Sequence, residues 1–296
     1  MKKEMRMLVK ATKCLTLLCL LFILAGCAGS SANIMHIIND VAYHPELPEE
    51  RRHLRVGVVP GPYGEMFMDA IEPTLAARGY TVELVLFNDF IQPNHSLAQG
   101  ETELNIFQHN RFLNSFKFEH NLELSPIAEV PTVSMGIFSA IYAELEDINE
   151  GAVVAIPNDA TNLARALRVL QSSGLISLNP LTDAAHAIVE DIVRNPRGLA
   201  FNLIEASQLV SELGRSDLAV ITGGFAYAGG LDIAGALYNE FLVDGYMIVV
   251  TVRTEDLARN FVSDILDVIH SGNFKDVIIA DDSPFNGFQR PRYFFQ

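Results

Sequence analysis

The chain has 296 residues, 49% of them hydrophobic, with 21 Lys+Arg against 36 Asp+Glu and a formal net charge of −15. That length allows one large or two medium domains with real cores, and the acidic surface argues against nucleic acid and against peripheral binding to anionic lipid. A carboxylate-bearing ligand is still compatible with it, because a buried arginine acts locally.

At the amino end Lys2, Lys3, Arg6, Lys10 and Lys13 precede an apolar run, Leu15 to Ala25, that is too short to span a bilayer comfortably. Leu24-Ala25-Gly26-Cys27 follows and looks like a bacterial lipobox. Residues 1–26 therefore read as a lipoprotein signal peptide and Cys27 as the acylated residue; the bland readings are an ordinary signal peptide or an uncleaved anchor helix. Cys14 and Cys19 leave with the leader, so the mature chain has no disulfide and no cysteine metal site. Each acyl methylene buried in lipid is worth about 0.8 kcal/mol, so more than one chain anchors the protein durably. Residues 27–53, with Gly29-Ser30-Ser31, Pro45, Pro48 and a charged Glu49-Glu50-Arg51-Arg52, read as a tether.

Folding begins at Leu54. Leu54 to Val59 is a strand, Pro60-Gly61-Pro62 a tight turn, and Tyr63 to Ala77 a helix stopped by Gly79, with a kink or break near Glu72 because of Pro73. Thr81 to Phe87 alternates as a second strand; a short helix runs to Gly100, and Leu104 to His109 is a third strand. This rhythm argues for a parallel sheet with helices on its faces. Val133 to Ser139 is extended. Val153-Val154-Ala155-Ile156 is a buried strand, and Pro157-Asn158-Asp159 then breaks it before a helix with Thr161 as N-cap and Gly174 as C′ residue. Further on we expect a helix over Ala184 to Val193, a strand over Leu199 to Ile204, a helix over Ala206 to Leu213 and a strand over Leu218 to Ile221. A glycine-rich stretch, a strand over Tyr246 to Val252 and a helix over Asp256 to His270 complete the pattern. Two α/β halves with the chain passing between them is the economical architecture, and small ligands bind in clefts between such halves.

In the helix after Asp159, Leu163, Ala166, Leu167 and Leu170 face a core, so Asn162 and Arg165 share the other side. A helix start beside an amide and a guanidinium suits a carboxylate; a solvated surface charge is the plain alternative for Arg165. Phe107 and His109 point the same way from an extended strand, Phe112 follows where the chain turns into a helix, and Phe90 joins them across the sheet. Such a wall suits a thioether side chain, although for any one ring taken alone a place in the core is the better reading. Catalytic signatures are missing: there is no G-x-S-x-G, H-E-x-x-H, Walker A or G-x-G-x-x-G, and the eight histidines are scattered. We expect no enzyme, no cofactor and no metal.

Five runs carry a resemblance. They are Val58-Val59-Pro60-Gly61-Pro62, Phe87 to Asn94, Asn105-Ile106-Phe107-Gln108-His109, Met135-Gly136-Ile137-Phe138-Ser139 and Ala155 to Leu167. In order and spacing the chain resembles the NlpA/MetQ family, the methionine-binding lipoproteins of a bacterial ABC importer. The similarity runs from about Leu54 to the end and is strong as far as Leu231. It implies a type II periplasmic-binding-protein fold, with lobe 1 over 54–138 plus 247–296 and lobe 2 over 139–246. Arg165 and Asn162 would hold the carboxylate of an amino acid, and Phe90, Phe107, His109 and Phe112 would line its side-chain pocket. Phe90 and Phe112 stand where the family usually has Tyr, and Thr222 and Gly224 stand where it commonly has asparagines that reach the ligand. Losing a buried hydrogen-bond partner costs about 1–3 kcal/mol, so affinity for free L-methionine would be roughly ten- to a hundred-fold lower, or the ligand would differ. Glu129 and Glu205 are candidates for the partner of the ligand's ammonium.

The resemblance implies methionine, another apolar amino acid or a methionyl peptide as ligand, with an ABC permease and its ATPase as partners. It implies a place in the cell envelope, anchored through Cys27 at the outer face of the inner membrane or the periplasmic side of the outer membrane. The rival readings are a surface interaction protein of the same fold that has lost amino-acid binding, and, more remotely, a lipid-anchored hydrolase.

Overall fold

The computed structural model describes residues 52–183 and 185–296. The leader, Cys27 and most of the expected tether lie outside the described residues. β1 (His53–Val58) leads into α1 (Pro62–Met66), which passes through a π-helical turn (Phe67–Ile71) into α2 (Glu72–Ala77). β2 (Thr81–Leu86), α3 (Gln92–Ala98), β3 (Leu104–His109), α4 (Asn110–His120) and β4 (Leu124–Val130) follow. The chain then crosses to β5 (Gly136–Phe138), β6 (Val153–Pro157), α5 (Ala160–Ser172), β7 (Ser177–Leu178) and β8 (Ile192–Arg194). Next come β9 (Ala200–Ile204), α6 (Leu209–Glu212), β10 (Leu218–Ile221), α7 (Gly223–Ala228) and β11 (Tyr238–Asn239). It returns as β12 (Ile248–Arg253) and closes with α8 (Asn260–Ile269) and α9 (Gly272–Ile279).

Two five-stranded sheets result, one in the order β2-β1-β3-β12-β4 and one in the order β11-β5-β10-β6-β9. In the first, β1 runs parallel to β2 and β3, and the returning β12 is antiparallel to both β3 and β4. In the second, β6 runs parallel to β9 and β10, and β5 is antiparallel to β10 and β11. The central strands β3, β10 and β12 are buried at every position, β10 as an apolar run and β3 and β12 with polar residues among their apolar ones. Helix α5 sets Leu163, Leu167 and Leu170 into a core with Val154, Ile156 and Val220.

Several local expectations need correction. β5 pairs within the second sheet, so the division expected after residue 138 falls a strand too late: the crossovers are 131–135 and 240–247. The helix expected over Ala184 to Val193 is absent among the described residues, 185–193. Asp183 accepts from the Ala185 N–H and Asp191 from the Ile188 N–H at 2.9 Å each, which takes from the backbone the donors a helix needs, and Ile192–Arg194 pairs with Ser177–Leu178 instead. Ala206 to Leu213 is a 3₁₀ turn (Ala206–Gln208) followed by the short α6. Asp256 to His270 likewise starts with a 3₁₀ turn (Thr254–Asp256) before α8. Near Glu72 the irregularity is a π-helical turn and not the break given as one alternative: Pro73 cannot donate, and the Glu72 N–H reaches back to Phe67, so the ladder slips by one residue and continues. The N-cap of α5 is Asp159, not Thr161; its carboxylate accepts from the Asn162 N–H at 3.0 Å and from the Thr161 hydroxyl at 3.1 Å.

Candidate functional site

Between the two sheets lies a cleft of about 480 Å³, the open solvent at its mouth included. It is lined where parallel strands end: by Val59 and Pro60 after β1, Phe107 to His109 on β3, Asn162 and Arg165 on α5, and Thr222 to Phe225 after β10. Thr132 and Val133 of the outgoing crossover form its back. Arg165, Asn162, His109, Phe107, Phe90, Phe112, Thr222 and Gly224 all line this one cleft.

β3 delivers three consecutive residues to it, which a regular strand cannot do. Val249 of β12 pairs with Gln108 and Val250 with Ile106, leaving Phe107 without a partner on that side. The bulge redirects the end of the strand. Gln108 is tied below to Asn94, with mutual bonds of 2.7 and 2.6 Å, and Asn94 accepts from Asn105 at 3.0 Å. This buried amide floor holds the bulge in place.

His109 is the N-cap of α4: its Nδ1 accepts from the Phe112 N–H at 3.1 Å. The remaining ring proton therefore sits on Nε2, which donates to Asn162 Oδ1 at 3.3 Å. Asn162 Nδ2 donates in turn to both oxygens of Asp159 at 3.1 Å. Burial, then the Arg165 charge, hold the His109 pKa well below its ordinary value, so the ring is neutral. Asn162 and Arg165 are 2% and 4% exposed, which rules out a solvated surface charge at 165.

Arg165 has a partner that the sequence did not reveal. Its Nε donates to Glu240 Oε1 at 2.9 Å and Oε2 at 3.1 Å, and its Nη2 to Oε1. Burial opposes the charge, but the Glu240 carboxylate and its hydrogen bonds more than offset this and raise the guanidinium's pKa. Tyr246 packs its ring 5.1 Å from the same guanidinium and 4.9 Å from the His109 ring. Neither Glu129 nor Glu205 lines the cleft: Glu129 lies in β4 and Glu205 is exposed after β9.

At the other end Phe90 stacks on Phe107 at 5.9 Å, meets Phe112 edge-on at 5.8 Å, and stacks across the cleft on Phe225 at 5.0 Å. Phe90 and Phe112 bring no hydroxyls, so this wall is wholly apolar. The rim is closed by glycines. Gly61 has φ 152°, and a Cβ on it would lie 3.2 Å from the Cα and carbonyl oxygen of Gly224, so only glycine suits both the backbone and the contact. Thr222 Oγ1 is buried beside the cleft with no hydrogen-bond partner among the described residues. Sequence reasoning missed Glu240, Tyr246, Gln108 and Tyr63, a buried residue of α1 that also lines the cleft. Gln108 alone carried a signal, its place between Phe107 and His109, which alternation masks.

The model of the NlpA lipoprotein family matches residues 54–292. The D-methionine-binding lipoprotein MetQ of Yersinia pestis is 29% identical over 238 residues, which are 79% of this chain and 86% of that protein. The membrane lipoprotein TpN32 of Treponema pallidum is 31% identical over 221 residues, 74% of this chain and 82% of its own. A solved nutrient binding protein from Burkholderia cenocepacia bound to methionine matches with a TM-score of 0.73 at 31% identity, over 79% of this chain and 97% of that one. From Leu54 to Arg292, the whole of its two-lobed body, the chain belongs to the NlpA lipoprotein family.

Proposed function

We propose that this protein is the substrate-binding lipoprotein of a bacterial ABC importer, and that it closes its lobes on methionine or a closely related apolar amino acid. The observation that carries this is the polarity of one cleft: a buried guanidinium and amide at one end, four phenylalanines at the other. An amino acid with an unbranched, polarisable side chain matches both ends. The unpaired Thr222 hydroxyl supplies a further hydrogen-bonding group beside the ligand. Relatives named for methionine binding support the same ligand class. The ligand is bound and released unchanged, and the receiving partners are a permease and its ATPase. Anchoring through Cys27 keeps the protein in the cell envelope, facing the permease.

The test is direct. Native mass spectrometry of freshly purified protein is expected to show a co-purifying mass equal to methionine or a near relative, and calorimetry is expected to show that Arg165→Ala removes most of the binding. Unchanged affinity in that variant would mean that the ligand sits elsewhere.

A further inference from the structure

Glu240 is 8% exposed on the return crossover and is fixed by three partners. Its Oε1 accepts from the Met135 N–H at 2.8 Å, and its own N–H donates to the Met135 carbonyl at 3.0 Å. Its carbonyl accepts from Gln289 Nε2 at 2.8 Å, and its carboxylate takes the Nε and Nη2 edge of Arg165. One residue is thus bonded to the outgoing crossover, to the C-terminal segment and to the guanidinium of the cleft. Arg165 Nη1 makes no hydrogen bond among the described residues, and no Asp or Glu lines the cleft.

A carboxylate held this firmly does not swing aside for a ligand. The guanidinium fork, which binds carboxylates in pairs when both edges are free, has one edge already committed. We propose that Glu240 is a positioning residue: it holds Arg165 by the Nε/Nη2 edge so that the ligand meets the remaining Nη1/Nη2 end, and its charge sets how strongly the cleft prefers a carboxylate over an uncharged acceptor. The inference rests on the reading of the ligand as an amino acid for its selectivity arm only. The ion pair is close to neutral as a unit. A ligand carboxylate therefore gains less at the Nη1/Nη2 end than it would from an unpaired guanidinium.

Glu240→Gln keeps an oxygen for Met135 and Arg165 and removes the charge. Calorimetry with methionine and with methioninamide, which lacks the carboxylate, is expected to show the ratio of their dissociation constants rising by about tenfold, the difference between a neutral and a charge-assisted hydrogen bond. Affinities that fall together with the ratio unchanged would reduce Glu240 to a structural role and overturn the proposal. A second arm needs no amino acid. Without ligand, Glu240→Gln leaves a buried cation unpaired, so its melting temperature is expected to rise in acetate while the wild type and Glu240→Gln/Arg165→Met do not respond. No acetate response in Glu240→Gln overturns the proposal whatever the natural ligand is. Wild-type protein that binds neither methionine nor methioninamide counts against the ligand class, and the acetate arm still decides the role of Glu240. A third measurement uses the wild type alone: the side-chain Nε–H resonance of Arg165 is expected to stay in place on adding methionine, and a large shift, reporting an exchanged partner, overturns the proposal.

Discussion

His109 joins a local task to a distant one. Through Nδ1 it caps the helix that carries Phe112, and through Nε2 it orients the amide of Asn162 on the opposite lobe. Protonation at Nδ1 would remove the cap acceptor and place a cation among Arg165, Arg111 and the Tyr246 ring. The sign of the pH dependence follows. Above its ordinary pKa of 6.5 the ring is neutral in both folded and unfolded chains and costs nothing. As pH falls below that value the unfolded chain takes up the proton while the folded chain resists it, so stability falls with pH. Thermal melts from pH 8 to pH 5 are expected to show this loss in the wild type and a shallower one in His109→Gln. Parallel curves would remove His109 from the account. Thr222 makes a contrasting case at the same scale: its hydroxyl is buried without a partner, and such a group costs about 1–3 kcal/mol unless something meets it.

At the level of elements, α7 starts hard against its neighbour. A Cβ at Gly223 would lie 2.4 Å from the Ser134 carbonyl and 2.7 Å from that of Val133. The start of this helix therefore rests directly on the outgoing crossover, and the Thr222 to Phe225 wall of the cleft is fixed to the hinge. Gly223→Ala must push backbone against backbone, a change worth about 1–3 kcal/mol, and the midpoint of denaturant unfolding is expected to fall accordingly. A variant as stable as the wild type would show that the crossover yields easily. Strands and helices with strong periodicity were legible in the sequence, α5 above all, because Leu163, Leu167 and Leu170 must share a face. The Ala184 to Val193 segment was not, since its apolar spacing suits a helix while Asp183 and Asp191 quietly capture the backbone donors. The bulge at Phe107 was hidden for a similar reason: it is set by β12, more than a hundred residues away. Glu240 meets Arg165 across 75 residues, and no local pattern announces such a pair. Asn162 and Arg165 on one helix face, and Phe107, His109, Phe112 and Phe90 around one strand, were legible from spacing, whereas Thr222 and Gly224 entered only through the resemblance.

Across the whole molecule, the lobes meet at the mouth of the cleft in three ways. Gly61 lies against Gly224, Phe90 stacks on Phe225, and the Tyr227 hydroxyl of α7 donates to Glu65 Oε2 of α1 at 2.8 Å. At the opposite side the two crossovers are joined through Met135 and Glu240, and Gln289 braces both by bonding Ser134, Glu240 and Leu242. This is a clamshell with a braced hinge and a small latch. Burial, then the hydrogen bond to the Glu65 carboxylate, push the Tyr227 pKa up to about 12, so the hydroxyl keeps its proton and the latch holds throughout the neutral range. An encounter between ligand and open cleft happens before the latch forms, whereas escape requires breaking it. Tyr227→Phe removes the bond and keeps the ring that meets Phe288 edge-on at 6.3 Å. An exposed hydrogen bond is worth about 0.5–1 kcal/mol, so stopped-flow release of methionine is expected to accelerate by roughly two- to fivefold with the association rate unchanged. If the loss appears in association instead, Tyr227 acts in the open state and the contact with Glu65 is not what retains the ligand.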